Sequence, residues 1–201
     1  MAKKILIVID MQKDFIDGAL GTKEAEAIVP AVVDKIHSYP QEDVYATRDT
    51  HGENYMDTQE GKYLPVPHCI RNTEGWQLRP EIGEMILPEH IFDKPTFGSV
   101  ELAERIKEIA GSGEIEVELV GLCTDICVVS NALLLKAFLP ETKISLDPAC
   151  CAGVTPFMTC TPSAASRTRS TNSLTILKLT SASRSASRTS RRASWILDSV
   201  S

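Results

Sequence analysis

A thiol with a base and a cation at its disposal can attack an amide carbon, and Gly121-Leu122-Cys123-Thr124-Asp125-Ile126-Cys127-Val128 is a setting for such a nucleophile. The apolar run Ile115 to Val120 before it reads as a strand, and Val129 to Phe138 after it reads as a helix. A cysteine at a strand-to-helix turn meets free backbone N–H groups and the positive end of the helix dipole, which favour a thiolate. Asp10 directly follows the apolar run Ile5 to Ile9, where a strand would deliver it to the edge of a cleft. Burial there would raise its pKa and suit it to take a thiol proton; a helix or turn cap is the other use of an aspartate in that place. Lys94 stands at the end of a third apolar segment, before Pro95. Its ammonium can support a thiolate or a developing oxyanion, or it can face solvent at a strand end.

A second group of residues suits a metal ion. Asp49-Thr50-His51 follows a strand-like segment, and alternate positions of extended backbone point the same way. Glu60 and His68 come soon after. Two carboxylates and two imidazoles can hold Zn²⁺, Fe²⁺ or Mn²⁺ and leave positions for water or substrate; the competing reading is a polar surface loop, since Asp-x-His alone is a weak signal. His37 and His90 lack such company and read as ordinary helix-face and strand-end residues. Adjacent Cys150 and Cys151 cannot form an ordinary bridge without distortion, and with Cys69 and Cys160 they read as structural or incidental thiols.

The elements that must position these groups alternate along the chain. Strands are expected at Lys4 to Ile9, Asp43 to Thr47, His90 to Asp93, the run before Gly121, and Lys143 to Leu146. Helices are expected at Ala25 to His37, where Ile28, Val32, Val33 and Ile36 keep helical spacing, at Val100 to Ala110, and after Asp125. Glu53 to Glu89 is rich in proline, glycine and polar residues and reads as a long functional loop. This order predicts an α/β fold of three layers, αβα, around a mostly parallel central sheet. Such sheets hold ligands at the carboxyl ends of their strands, and Asp10, Asp49, Lys94 and Cys127 all fall at or just beyond such ends.

Composition narrows the function classes. The chain has 201 residues and 43% hydrophobic content, enough for one domain with a sizeable core. A formal charge of −6 gives no reason to expect nucleic acid as a partner. Lys3 and Lys4 are followed by too short an apolar run for a secretory core, and no stretch approaches the roughly 20 apolar residues that span a bilayer. A cytoplasmic location with reduced thiols and no membrane partner is expected.

Taken together, these segments resemble the isochorismatase-like cysteine hydrolases and, within them, the nicotinamidases (pyrazinamidases). The matching pieces are Asp10 to Phe15, Arg48 to His51, Asn54-Tyr55, Glu60 to Lys62, Leu64 to Cys69, Glu74 to Trp76, Asp93 to Phe97 and Gly121 to Val128, in the family's order and spacing. The resemblance covers about residues 4–156. It implies a catalytic triad of Asp10, Lys94 and Cys127. It implies metal ligands Asp49, His51, Glu60 and His68 for one divalent ion, zinc first, with iron or manganese as alternatives. A cis peptide is implied at Leu122–Cys123, with the amides of Cys123 and Cys127 forming an oxyanion site. Phe15, Leu20, Trp76 and Phe97 fall where the family lines its ring pocket. The implied activity is hydrolysis of nicotinamide, or of pyrazinamide, through a cysteine thioester in NAD salvage. A related cysteine hydrolase acting on another small amide is the alternative, and self-association is left open.

The composition changes abruptly near Phe157. Residues 1–156 carry −12 and the remainder +6, with serine, threonine, arginine and alanine dominant. The chain therefore divides into a hydrolase domain, residues 1–156, and a divergent tail, residues 157–201, whose composition suits a reading-frame change. No proposed catalytic residue lies in the tail, so the site can survive its change, with one sheet edge and the packing beneath it compromised. A function seated in the basic tail, such as binding RNA or an acidic partner, is the reading from a different class.

Overall fold

The computed structural model describes residues 2–154. The expectations for residues 155–201, the tail and Cys160 included, lie outside the described residues. In chain order the regular elements are strand β1 (Lys3–Ile9), helix α1 (Lys13–Ile16), helix α2 (Lys23–His37), strand β2 (Val44–Asp49), helix α3 (Gln59–Tyr63), helix α4 (Pro80–Gly83), strand β3 (Ile91–Lys94), helix α5 (Val100–Ala110), strand β4 (Ile115–Leu122), helix α6 (Val129–Phe138) and strand β5 (Lys143–Ala152). Short 3₁₀ turns precede β2 and β3 and lie at Tyr55–Asp57.

The sheet has the order β3-β2-β1-β4-β5, and every neighbouring pair is parallel. A parallel sheet must be covered on both faces, and two apolar clusters do this. Leu6, Val8, Val44, Ala46 and Val120 meet Ile28, Val32 and Ile36 of α2 on one face. Ile5, Ile7, Ile9, Val117 and Leu119 meet Leu102 and Ile106 of α5 and Val128, Ala132 and Leu135 at α6 on the other. The alternation of Leu6 and Val8 with Ile5, Ile7 and Ile9 is the period of two that sends successive side chains to opposite faces. This is the three-layer αβα architecture the sequence predicts.

Helix boundaries follow from local chemistry. Thr22 caps α2 by accepting a hydrogen bond from the Ala25 amide, and Ser99 caps α5 by accepting from Leu102. Three differences from the sequence reading stand out. The region Glu53 to Glu89 is not one irregular loop but holds α3 and α4 and two 3₁₀ turns. β4 runs through Gly121 to Leu122 rather than ending before the glycine. β5 continues past Leu146 to Ala152, with a break in its register against β4 between Leu119 and Gly121. Among the described residues, no helix is long and apolar enough to cross a membrane.

One glycine fixes the approach of the two central strands. Gly121 has φ +114°, and a Cβ there would lie 2.1 Å from the Ile9 carbonyl oxygen of β1. Only glycine allows that contact, and it sets the end of β1, with Asp10, against the turn that leads to Cys127.

Candidate active site and metal centre

The carboxyl ends of β1, β2, β3 and β4 deliver the reactive groups. Asp10 follows β1 with φ +48°, a left-handed conformation uncommon for a non-glycine residue and often found where backbone strain serves a site. Its Oδ1 accepts a hydrogen bond from Thr47 Oγ1 at 2.7 Å. Its Oδ2 lies 2.7 Å from Lys94 Nζ and is otherwise unpartnered, in a side chain with no exposed surface. Lys94, the last residue of β3, is equally buried; its ammonium also lies 3.2 Å from Asp49 Oδ1 and 3.4 Å from Cys127 Sγ. One cation thus touches the candidate base, the candidate nucleophile and a candidate metal ligand.

Cys127 lies in a widened helical turn, Thr124–Val128, that leads directly into α6. The carbonyl of Cys123 accepts from the amides of both Ile126 and Val128 at 3.1 Å, the second being the longer span of a π-type turn. Such turns inside α-helices occur frequently at functional sites. The peptide Leu122–Cys123 is cis, as expected. Asn131 braces the turn from α6. Its Nδ2 donates to the carbonyls of Cys127 at 2.8 Å and Phe97 at 3.0 Å, and its Oδ1 accepts from the Ser99 amide at 2.9 Å. This ties the nucleophile turn to the segment that follows Lys94.

At the sulfur, burial works against the helix terminus. Burial pushes the Cys127 thiol well up, Lys94 pulls it down, and the carboxylates of Asp10 and Asp49 push it up again. Dehydration thus opposes the thiolate that the helix terminus favours, and a base beside the sulfur offsets that opposition. Burial also raises the Asp10 carboxyl, against the pull of Lys94 and the Thr47 hydrogen bond. Lys94 is held well above its ordinary range, since Asp10, Cys127 and Asp49 outweigh its own burial.

Asp49, His51, Glu60 and His68 each offer a ligand atom, and these atoms all lie within 4.8 Å of one another. His51 Nε2 is 2.9 Å from Asp49 Oδ2 and 3.9 Å from Glu60 Oε1. His68 Nε2 is 3.6 Å from Asp49 Oδ2 and 3.8 Å from Glu60 Oε1. A tetrahedral ion with bonds of about 2.1 Å separates its ligands by about 3.4 Å, so these residues fit a divalent cation. The imidazole of His68 is fixed for that role. Its Nδ1 faces the Val66 carbonyl at 2.8 Å, which can only accept, so Nδ1 carries the proton and Nε2 is left for the ion. Glu60 is raised by burial and by the charge of Asp49. Asp49 is held well below the usual carboxylate range because Lys94 and the two imidazoles overcome its burial. Crowded anionic groups of this kind attract a cation.

Local structure places each ligand. Glu60 sits in the first turn of α3, whose N-cap Thr58 accepts from the Gly61 amide at 3.0 Å. Tyr55, 1% exposed, sets its ring against His51 and His68 with centroids 4.7 and 5.0 Å away, and its hydroxyl donates to the Leu64 carbonyl. Gln12, for which the sequence suggests no separate role, holds the strand end. Its Nε2 donates to the carbonyls of Asp49 and Trp76 at 2.8 Å, and its Oε1 accepts from the Asp49 amide at 2.7 Å. Gln12 stands among the polar residues Asp10, Lys13 and Asp14, so no local pattern marks it, whereas Asn131 is a polar residue on a mostly apolar helix.

The expected ring-pocket residues are placed unevenly. Phe15 tilts against His68 at 5.5 Å and packs on the α2 side of the sheet; Phe97 packs on the α5 and α6 side. They flank the strand ends from opposite faces. The Trp76 indole N–H donates to Thr50 Oγ1 at 2.8 Å, and the Arg48 guanidinium covers its ring at 3.7 Å. Leu20, half-buried, is tied by its amide to the Asp14 carbonyl. His90 is buried and stacked on Tyr45, and His37 is exposed, so both are the ordinary residues expected.

The family model described as "Isochorismatase domain" matches residues 4–163. A nicotinamidase/pyrazinamidase of Mycobacterium tuberculosis is 28% identical over 64% of this chain and 76% of its own length. The structure of a pyrazinamidase of Pyrococcus horikoshii in complex with zinc superposes with TM-score 0.61 at 29% identity, covering 77% of this chain and 89% of the other. An N-carbamoylsarcosine amidase of Thermoplasma acidophilum shares the fold at TM-score 0.61 and 24% identity, over 77% of this chain and 87% of its own.

Proposed function

Because the chain belongs to the isochorismatase family, we propose that it is a metal-dependent nicotinamidase, hydrolysing nicotinamide to nicotinate and ammonia through a thioester on Cys127. The observation that carries this reading is the Lys94 ammonium, buried against Asp10, Cys127 and Asp49, with Asp49 shared between the reactive trio and the cluster of metal-binding groups. A nucleophile site and an ion site that share a carboxylate suit a substrate with two points to hold, an amide and a ring nitrogen. The similarity to a nicotinamidase and to a pyrazinamidase supports the same substrate class.

In this mechanism Asp10 takes the proton of Cys127 as the sulfur attacks the carboxamide carbon. Lys94 remains an ammonium and balances the negative charge that moves between carboxylate, sulfur and oxygen. The amides of Cys123 and Cys127 receive the oxyanion, a contribution of about 3–4 kcal/mol per donor. Asp10 then returns the proton to the leaving nitrogen, ammonia departs, and the acyl group stays on sulfur as a thioester. Water attacks that thioester with Asp10 again as base, releasing nicotinate and restoring the thiol. Asp49, His51, Glu60 and His68 would hold the divalent ion, zinc first, which when bound supplies a Lewis-acid contact for the pyridine nitrogen and orients the ring. Phe15, Trp76, Phe97 and Leu20 would enclose the ring. The role fits recycling of nicotinamide toward NAD in the cytoplasm, and the catalytic unit is residues 1–156.

The test is ammonia release from nicotinamide and pyrazinamide set against other small carboxamides, with and without a chelator. Release confined to the two pyridine-like amides and lost on chelation is expected. Indifference to the chelator, with faster release from an unrelated amide, would instead assign a related cysteine hydrolase.

A further inference from the structure

We propose that Asp14 is a positioning residue for the metal centre, fixing Cys69 and, through Cys69, both imidazole ligands; this rests on reading the Asp49, His51, Glu60 and His68 cluster as a metal site. Asp14 lies in the first turn of α1, where an acidic side chain would ordinarily serve the helix terminus. Its carboxylate is used otherwise. Oδ2 accepts from the Cys69 amide at 2.7 Å, and Oδ1 accepts from the Ala19 amide at 3.3 Å. Cys69 directly follows the ligand His68, is fully buried, and has φ +48°. A non-glycine residue keeps that conformation only where its surroundings hold it, and the short bond from Asp14 is on its amide. The carbonyl of the same residue accepts from the amide of His51 at 3.0 Å. One carboxylate therefore reaches both histidines: His68 through the chain and His51 through the peptide of Cys69.

The backbone around Asp14 extends the clasp. Its amide donates to the Gly75 carbonyl at 3.0 Å, and its carbonyl accepts from Leu20 at 2.8 Å. Gly75 precedes Trp76, and a Cβ on Gly75 would lie 2.2 Å from Asp14 Oδ2 and 2.3 Å from Oδ1. The glycine leaves the space the carboxylate occupies. An amide of the same shape could not replace the carboxylate, because both oxygens accept from backbone N–H groups and an amide has one acceptor oxygen.

The experiment uses the full chain and Co²⁺ as the probe, titrated by its visible absorption, with no substrate present. Asp14→Asn and Gly75→Ala should each weaken Co²⁺ binding by about 10- to 100-fold, the usual cost of losing a partner that orients metal ligands. Alkylation of Cys127 should proceed at the parent rate in both, since no bond of Asp14 reaches that turn. Adding Cys69→Gly to Asp14→Asn should recover part of the affinity, because glycine accepts φ +48° without support. Folded variants that bind Co²⁺ as the parent does would overturn the proposal. Variants that do not fold, and are not recovered by Cys69→Gly, would also overturn it, since Asp14 would then belong to the fold and not to the metal centre. A parent chain that takes up no Co²⁺ would instead count against the metal-dependent reading itself.

Discussion

Replacing Lys94 by Met removes one cation from between two buried carboxylates while keeping a side chain of similar length. With an effective dielectric of about 20, unit charges 2.7 Å apart attract by about 6 kcal/mol and those 3.2 Å apart by about 5 kcal/mol. Stripping water from the buried ammonium cancels several kcal/mol of this, and breaking a buried pair from one side costs about 3–5 kcal/mol in net stability. For a chain of this size that is a fall in melting temperature of about 10 °C. The loss depends on pH in a definite sense. Asp10 already has a raised carboxyl, and without Lys94 it rises further. Its charged form then destabilises the folded chain at pH values above the ordinary carboxylate range, and the penalty shrinks as pH falls into that range. A carboxyl raised further is a poorer acceptor for the Cys127 proton, so kcat should fall by about 10²- to 10⁴-fold, the span of general-base catalysis. Thermal melts across pH and steady-state ammonia release measure both effects. A Met variant that melts with the parent and turns over at the parent rate would refute the assignment of Lys94.

Thr47→Val removes the hydroxyl that donates to Asp10 Oδ1, a bond that lowers the Asp10 pKa, so the acidic limb of the kcat/KM profile should move to higher pH; a limb that stays or moves down would contradict this. Asn131→Leu leaves the Ser99 amide and the Cys127 and Phe97 carbonyls without their side-chain partner, which should cost about 2–3 kcal/mol in denaturant unfolding and lower kcat more than it raises KM. Saturating Zn²⁺ should raise the melting temperature and a chelator should reverse the gain, while His68→Ala should abolish the shift. Deleting residues 157–201 should leave ammonia release intact, and loss of release with metal still bound would assign the tail a part in function.

What could be read in the sequence was what local patterns encode. Apolar runs ending in Asp10, Asp49 and Lys94 placed three side chains at strand ends, and the structure brings those three together with Cys127. The long region between β2 and β3 was harder. Glu60 sits on α3, whose five residues are too few to show a helical period. β5 was cut short because Asp147 and Pro148 interrupt its apolar pattern, and Pro148 is tolerated where the strand's register breaks. The dehydration that opposes a Cys127 thiolate was hidden for another reason. The dipole argument is local, whereas the dehydration of Cys127 depends on everything packed around it. The roles of Gln12, Asp14 and Asn131 are hidden because most of their partners are backbone groups far along the chain, which no spacing rule reveals.

Ammonia release from nicotinamide by the Cys127→Ala variant, with its metal content measured in the same sample, tests the central claim most directly. The account predicts a parent level of metal and no turnover above the uncatalysed background. Turnover near the parent rate from a metal-loaded variant would contradict it.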